Sequence, residues 1–253
     1  MKRTIVTLAL VLLGAVSVLG QAKPDADKKP AAPMPTADEV LEKSIKAVGG
    51  KEAIMKITSR VEKGMFELPS MGVSTPVEVY AKAPNKAYFF LDVPSYGVVQ
   101  DGFDGTTAWA QDPQSGLREK TGTELAEVKL DEDFYRAVKL KELYSKRELK
   151  GVESVGGREA YVVVLTPTGG SAEKLYFDKE NGLLVQRDME RDGGQGRGPV
   201  QQFLSDYKEV DGVKVPHTLR IVSGIGEIIL KITEIKHNVA VEDSKFSKPA
   251  AKP

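Results

Sequence analysis

The sequence predicts a mainly β (α+β) fold, in which one large curved antiparallel sheet is accompanied by a few amphipathic helices. From Ser59 onward, apolar and polar side chains alternate with a period of two through most of the chain, as in strands that bury one face. Short turn sequences such as Asn181-Gly182 separate the alternating runs and are typical of hairpins. Helical periodicity is confined to two segments, near residues 36–57 and 121–144.

The N-terminal residues 1–22 are typical of a cleavable signal peptide, with Lys2 and Arg3 before a short apolar run and small residues near positions 20–22. The apolar run is shorter than the roughly 20 residues of a membrane-spanning helix, which disfavours a signal anchor. The chain has no cysteine, and Gln21 stands where a lipoprotein would carry its acylated cysteine. We therefore expect an exported, soluble protein without disulfides.

The charge of the chain is balanced, with 36 basic and 36 acidic side chains. No basic stripe with interleaved aromatic residues is visible in the sequence, which argues against a nucleic-acid partner. Residues 23–35 form a Pro/Ala/Lys-rich linker, and residues 248–253 form a tail of similar composition that we expect to be disordered. The folded domain is expected over residues 36–247.

The folded part begins with a helix. Thr36 and Glu39 have the spacing of a capping box, and Gly49-Gly50 provides the C-terminal stop. The apolar stripe of this helix consists of Val40, Leu41, Ile45 and Val48. A short second helix is expected over residues 51–57.

The strands follow. Two of them contain Val77, Val79 and Ala81 and then Ala87, Phe89 and Leu91, with a hairpin turn at Ala83-Pro84-Asn85 between them. The others are expected near residues 59–66, 96–101, 106–111, 148–155, 159–166, 173–178, 183–190, 199–208, 214–223 and 226–236. Because hairpin turns separate them, we expect one consecutive antiparallel meander.

Residues 121–144 interrupt the strands. Thr121 and Glu124 have capping-box spacing before Leu125 and Val128, which predicts one helix. Asp131 is expected to cap another helix, whose apolar residues are Phe134, Val138 and Leu143.

A sheet of this length must curl, so one face becomes concave. The helices are then placed to cover the mouth of the concavity. An apolar concave face is either a binding site for an apolar ligand or a packed core, and strand-spaced apolar residues alone fit both.

Several segments resemble the periplasmic lipoprotein carriers LolA and LolB. AKAPNKAYFF at 81–90 is followed by FDGTTAWAQDP at 103–113, which is similar to the carriers' turn and Asp-Gly-x-x-x-Trp hairpin. EAYVVVLTPTGGSAEKLYFDKENGLLVQRD and VEDSKFSKP come in a similar order, and DYKEVDGVKVPHTLRIV is similar to a segment of outer-membrane lipoprotein-sorting-like proteins. The resemblance covers most of residues 37–248.

This resemblance implies an unclosed β-barrel with helices as a lid over an apolar hollow. It implies a periplasmic carrier in the bacterial envelope, whose partners are an acylated lipid or lipoprotein and transfer proteins at the inner or outer membrane; we expect a monomer. Cargo is bound and released without covalent chemistry. In LolA carriers an arginine before the turn proline helps to hold the lid shut, and Ala83 stands at that position here.

Residue matching places the apolar ligand-binding surface on one face of the strands. Its predicted members are Val77, Val79, Ala81, Ala83, Ala87, Phe89, Leu91, Leu219, Ile221, Ile228, Leu230 and Ile232. The predicted underside of the lid consists of Leu125, Val128, Phe134 and Val138.

The sequence gives little support to an enzyme. His217 and His237 are its only histidines, they form no HExxH motif, and no Gly-x-Ser-x-Gly elbow is present. GGQGRGP at 193–199 lacks the Lys-Ser/Thr end of a phosphate loop and is interpreted as a hairpin loop. We expect no catalysis, no cofactor and no metal.

Two functions remain open from the sequence. One is a carrier of acyl chains, and the other is a non-enzymatic envelope-sensing or protein-interaction module on the same scaffold. The direction of Trp109, into the hollow or outward, is also open because only alanines flank it.

Overall fold

The computed structural model describes residues 33–192 and 196–250. The predicted signal peptide at 1–22 lies outside the described residues. So do most of the predicted linker at 23–35, the start of the loop at 193–199 and the last three residues of the tail.

The helices are α1 (Ala37–Ala47), α2 (Lys51–Met55), α3 (Gly122–Asp131) and α4 (Arg136–Leu143), with single 3₁₀ turns at Pro69–Met71 and Asp243–Phe246. The strands are β1 (Ser59–Leu68), β2 (Val73–Lys82), β3 (Lys86–Val93), β4 (Gly97–Phe103), β5 (Ala108–Asp112), β6 (Gly116–Lys120), β7 (Tyr144–Val155), β8 (Arg158–Pro167), β9 (Glu173–Asp178), β10 (Leu184–Asp192), β11 (Arg197–Val210), β12 (Val213–Ser223) and β13 (Gly226–His237). No helix in the described part of the chain is long and apolar enough to cross a bilayer.

All thirteen strands form one antiparallel sheet, in the order β6-β5-β4-β3-β2-β1-β13-β12-β11-β10-β9-β8-β7. The prediction of one consecutive meander is wrong at a single point. There are two meanders, β1–β6 and β7–β13, and pairing of the first strand with the last joins them. The sheet is not closed, because β6 and β7 remain its two edges. Helices α3 and α4 connect these edges and form the segment that we call the lid.

The predicted capping box of α1 is confirmed. The Thr36 hydroxyl accepts the Glu39 N–H, and the Glu39 carboxylate accepts the Thr36 N–H at 2.7 Å. The buried side of α1 packs with α4 against the second meander. This core contains Val40, Leu41, Leu140, Val163, Leu165, Leu175 and Phe177.

Thr121 is the N-cap residue of α3, as predicted, but the predicted start of the second lid helix at Asp131 is wrong. The capping box is not formed, since the Thr121 side chain makes no capping bond and the Glu124 carboxylate binds Arg118 at 2.7 Å. Asp131 is the last residue of α3 rather than a cap, and its carboxylate binds arginines of the sheet. Charge-assisted bonds of this kind are stronger than a neutral cap. Phe134 consequently lies in the connection at residues 132–135, which we call the elbow, and not in α4.

Strand β6 was missed in the sequence because its five residues contain one apolar side chain, Leu117. The other predicted strands are present, with ends that differ by a few residues.

The two faces of the sheet are covered differently. The inner face carries the helices, whereas residues 238–248 pack on the outer face of the first meander. Trp109 points outward, where it is buried with Tyr88 and Phe246, and its indole N–H donates to the Phe246 carbonyl oxygen at 3.0 Å. Gly102 lies opposite this indole, and a Cβ there would come within 2.3 Å of the ring.

Candidate functional site

The strand register places the predicted apolar residues on the inner face in directly opposed pairs. In the first meander the pairs are Val77–Leu91, Val79–Phe89 and Ala81–Ala87. In the second they are Leu219–Leu230 and Ile221–Ile228. Strand β1 joins the two groups, because Gly64 pairs with Val77 on one side and Ile232 on the other. The result is one apolar wall that crosses both meanders.

Gly64 leaves a gap at the centre of this wall. It follows a β-bulge at Lys63/Gly64, and a Cβ there would lie 2.1 Å from the Lys231 carbonyl oxygen. Only glycine fits, so the wall carries no side chain where β2 and β13 flank β1. The sequence analysis did not single out this residue, and its signal was a lone glycine inside an alternating strand.

Most of the wall is only half-buried. Val77 and Leu91 are 1% and 2% exposed, whereas the other ten predicted lining residues keep intermediate exposure. Their apolar surface is therefore incompletely covered although it lies on the face that carries the helices. A well-packed core would bury such residues. We call the space between this wall and the lid the hollow.

The lid residues occupy the expected segment. Leu125 and Val128 lie in α3, Val138 lies in α4, and all are half-buried. Phe134, in the elbow, packs against a cluster that contains Ile57 and Val215. The elbow is thereby fixed to the sheet, while α3 has few apolar contacts.

Ion pairs hold α3 and α4 to the sheet. Arg187 of β10 binds Asp131 of α3 and Glu173 of β9, and Glu173 also binds Arg136 of α4 and the Tyr144 hydroxyl. Glu173 is only 3% exposed. Burial alone raises the pKa of this carboxyl, but the guanidinium groups of Arg136 and Arg187 outweigh burial and lower it.

A second set of arginines extends these contacts. Arg191 of β10 binds Asp131 at 2.9 Å, and Arg197 of β11 binds Glu127 of α3 at 2.7 Å. We call the whole group the lid latch; its members are Glu127, Asp131, Arg136, Tyr144, Glu173, Arg187, Arg191 and Arg197. The sequence analysis missed it. The available signals were the four-residue spacing of Glu127 with Asp131 on a helix and of Arg187 with Arg191 on a strand.

Charged side chains lie at the elbow end of the inner face. Arg60 pairs with Glu62 at 2.9 Å, and Lys120 pairs with Asp101 at 3.0 Å. The carboxyl group of Glu132, in the elbow, interacts electrostatically with these side chains. Burial, with the negative charge of Asp131 next, raises the pKa of Glu132 to about 7, although Arg60 and Lys120 oppose the shift. We call Arg60, Glu62, Asp101, Lys120 and Glu132 the charged layer.

The histidines are separate from one another. His217 Nδ1 lies 3.1 Å from the Val215 carbonyl oxygen, and His237 Nδ1 lies 3.1 Å from the Asp211 carboxylate. Burial and the charge of Arg60 lower the pKa of His237. Among residues 33–192 and 196–250, no group of His, Asp and Glu side chains is arranged to hold a metal ion. The arrangement is suited to binding an apolar chain.

Three solved structures share this architecture. A DUF1329 family protein from Desulfovibrio piger has a TM-score of 0.57 at 13% identity, over 85% of this chain and 98% of that one. A LolA superfamily protein from Nitrosomonas europaea has a TM-score of 0.55 at 17% identity, over 85% and 99%. The chain has a LolA-like fold. A protein from Vibrio parahaemolyticus described as an outer membrane lipoprotein-sorting protein domain also matches, at a TM-score of 0.55 and 12% identity over 84% and 97%.

No family model matches the sequence, and no curated protein matches it. The likeness to the LolA-like structures therefore concerns the fold, and it confirms the predicted unclosed sheet with helices as a lid.

The LolA-like fold here holds its elbow by a backbone contact at the β2–β3 turn. Ala83 is half-buried, and its N–H donates to the Thr58 carbonyl oxygen. Beside it, the Pro84 carbonyl oxygen accepts the N–H of Phe134 at 2.9 Å. The Tyr135 hydroxyl adds a bond to the Ile57 carbonyl oxygen at 3.0 Å. The turn thus contacts the lid through backbone groups.

Proposed function

We propose that this protein binds the acyl chain of a lipid or lipoprotein in the hollow and carries it through the periplasm without covalent catalysis. The observation that supports this proposal is the half-buried apolar wall under the lid. A LolA-like fold shared with a protein described as lipoprotein-sorting agrees with it.

The apolar character of the wall suits an acyl chain. Burial of each methylene group is worth about 0.8 kcal/mol, so about ten of them supply roughly 8 kcal/mol. This is within the range of the cost of immobilising a ligand, which is estimated at roughly 4–15 kcal/mol. Longer chains, or several chains on one cargo, then give net affinity.

Transfer requires that the lid opens. Its apolar contacts are concentrated at the elbow and α4, and α3 is held by the arginines of the lid latch. When these ion pairs separate, their charged groups are solvated by water again. The release of α3 from the sheet therefore costs less free energy than the exposure of an apolar helix face of the same area. Partners at the donor and acceptor membranes are proposed to act by favouring the open lid, on a monomeric carrier.

The proposal is tested with the mature protein, a dansyl-labelled fatty acid and native mass spectrometry. We expect saturable binding with an emission blue shift, and its loss in Phe89→Glu, because a carboxylate on the apolar wall is costly to desolvate. Val98→Glu, an apolar-to-acid change on the outward side of neighbouring β4, is the matched control and is expected to bind normally. Absence of binding by the folded wild type would favour the interaction module instead.

A further inference from the structure

Three neighbouring hairpins turn at the same end of the sheet. In the strand order β4-β3-β2-β1-β13-β12, the turns β3–β4, β1–β2 and β12–β13 all lie opposite the β2–β3 turn that contacts the elbow. The Thr75 hydroxyl of β2 donates to the Asp92 carbonyl oxygen of β3, and a Cβ on Gly226 of β13 would lie 3.4 Å from the Ser70 hydroxyl oxygen. The three turns are therefore adjacent. We call residues 69–72, 94–96 and 224–225 the hairpin tips.

Each hairpin tip exposes one large apolar side chain. Met71, Tyr96 and Ile225 are 73%, 46% and 54% exposed, and Met71 is the most exposed large hydrophobic residue in the described part of the chain. Tyr96 also has a polar end, since its hydroxyl lies 3.4 Å from a carboxylate oxygen of Asp112. Single exposed apolar residues are common on protein surfaces, but three on adjacent turns form a group that indicates an interaction site.

The hairpin tips lie in segments without charge. Residues 68–77, 93–97 and 221–226 contain no Asp, Glu, Lys or Arg, in a chain of which 28% is charged. The first charges beyond two of the tips are paired, because Glu67 binds Lys231 at 2.8 Å and Arg220 binds Glu227 at 3.1 Å. Such a surface does not complement a charged partner.

The shape of this surface favours a lipid bilayer over a protein. Three side chains on separate turns offer less apolar area than the roughly 800 Å² per partner that a stable protein interface buries. They protrude from the end of the sheet and can enter a soft phase one by one. Exposed apolar side chains together with an aromatic residue that has a polar end are typical of segments that insert into the membrane–water interface.

The apolar wall leads to the hairpin tips. Leu68 and Val73 form the last pair of β1 and β2, and Val73 lies on the face of Val77 because four residues separate them on one strand. In the second meander, the pair Ile221–Ile228 is the last apolar pair before the β12–β13 turn. An apolar chain that follows the wall away from the elbow therefore reaches the tips.

We propose that the hairpin tips dock this protein on a lipid bilayer by inserting Met71, Tyr96 and Ile225 into the interface of one leaflet. The apolar side chains enter the upper acyl chains, the Tyr96 hydroxyl stays among the headgroups, and the uncharged turns approach without the cost of desolvating a charge. Docking in this orientation brings the end of the apolar wall to the membrane. The inference goes beyond the proposed function, because insertion of the tips requires no ligand in the hollow.

The test measures flotation of the mature protein with vesicles of phosphatidylcholine and with vesicles that also contain phosphatidylglycerol. We expect binding to both, with affinities that stay within about threefold between the two lipids and between low and high salt, because the tips are uncharged. Met71→Asp and Ile225→Asp should each weaken binding by at least about tenfold. Met55→Asp changes a methionine that is 42% exposed in α2, near the elbow, and as the matched control should bind like the wild type.

Tyr96→Trp tests whether the tip enters the bilayer. The variant keeps an aromatic side chain and adds a fluorophore, whose emission should shift to shorter wavelength on vesicles and be quenched by phosphatidylcholine brominated in the upper acyl chains. Trp109 is buried with Phe246 on the outer face, so the wild type provides the background signal and should show neither change.

The outcomes separate this inference from the proposed function. Docking by the tips is overturned if the folded wild type does not float with phosphatidylcholine vesicles, or if Met71→Asp and Ile225→Asp both bind as well as the wild type. The same variants are titrated in solution with the dansyl-labelled fatty acid and should keep its affinity within about twofold. Vesicle binding by a protein that takes up no fatty acid would overturn the proposed function and leave the docking surface in place.

Discussion

Arg191 of β10 lies 2.9 Å from Asp131 at the end of α3, and this contact joins the lid to a strand sixty residues further along the chain. Arg187, four residues earlier on the same face of β10, reaches the same carboxylate. The closed lid therefore depends on charges at α3, whereas the fold depends on separate apolar cores around α1 and the outer face. Because Leu140 of α4 belongs to the core around α1, this division lets α3 move with less exposure of that core than a movement of the whole lid.

Arg187 is the residue whose loss we expect to loosen the lid most. Arg187→Met leaves Glu173 buried with Arg136 and leaves Asp131 with Arg191, so part of a buried ionic network is broken. We expect a loss of about 3 kcal/mol in the free energy of unfolding, measured by urea denaturation. Hydrogen exchange in residues 122–143 should accelerate.

The control for this variant is Lys146→Met, which removes an exposed ion pair with Glu148 on edge strand β7. It is expected to leave both the unfolding curve and exchange in the lid nearly unchanged. If both substitutions lowered the free energy of unfolding and accelerated exchange in the lid equally, the lid latch would stabilise the lid no more than an exposed ion pair does.

Stability should fall as pH rises through the range in which Glu132 titrates. Its pKa in the folded protein is raised to about 7, above the ordinary value of 4.5. Between these two pH values the folded state therefore binds more protons than the unfolded state. The resulting loss in the free energy of unfolding is absent below about pH 4.5, grows toward pH 7 and is constant above it. The shift corresponds to about 3 kcal/mol at most.

Glu132→Gln removes this penalty. We expect the variant to melt several degrees above the wild type at pH 8 and at nearly the same temperature at pH 4, by calorimetry at both values. Glu142→Gln, at an exposed position of α4, serves as the control. A difference between wild type and variant that does not depend on pH would contradict the assignment of this titration to Glu132.

Two positions of the apolar wall should respond differently to a charge. Leu230→Glu alters a half-buried residue, so we expect a folded protein with at least about tenfold weaker fatty-acid binding. Val77→Glu places a carboxyl at a site that is 1% exposed, and we expect it to unfold the domain. Ile229→Glu, on the opposite side of β13, is the control for binding. Normal binding by folded Leu230→Glu would argue that the wall is not the ligand site.

The sequence predicted features that depend on local pattern. The capping box at Thr36 and the inward alternation of Val77 and Val79 follow from spacing within a few residues, and both are present. The lid latch was not predictable in this way, because Asp131 and Arg187 come together only after β7–β10 have paired. Asp131 also shows the limit of capping rules, since an arginine from a distant strand outcompetes a local backbone N–H.

The direction of Trp109 was undecidable from its flanking alanines and is set by residues 238–248, which supply a cover on the outer face. Within this cover, Phe246 is fully buried, and the Lys245 ammonium lies 4.6 Å from the centroid of the Tyr88 ring. Residues 238–248 and the sheet thus form one apolar cluster. A loss of its packing should be visible in the fluorescence of Trp109, the only tryptophan of the chain.

Phe246→Ala is expected to cost roughly 3–5 kcal/mol, because the removed ring leaves a cavity beside Trp109. The emission maximum of Trp109 should shift to longer wavelength as water reaches the indole, while fatty-acid binding on the inner face stays within about twofold of the wild type, since the two faces are separated by the sheet. Lys248→Ala removes an exposed ion pair with Glu119 at 2.7 Å and should change neither quantity. If Phe246→Ala instead abolished fatty-acid binding while the protein remained folded, residues 238–248 would be coupled to the hollow, and the independence of the two faces would be wrong.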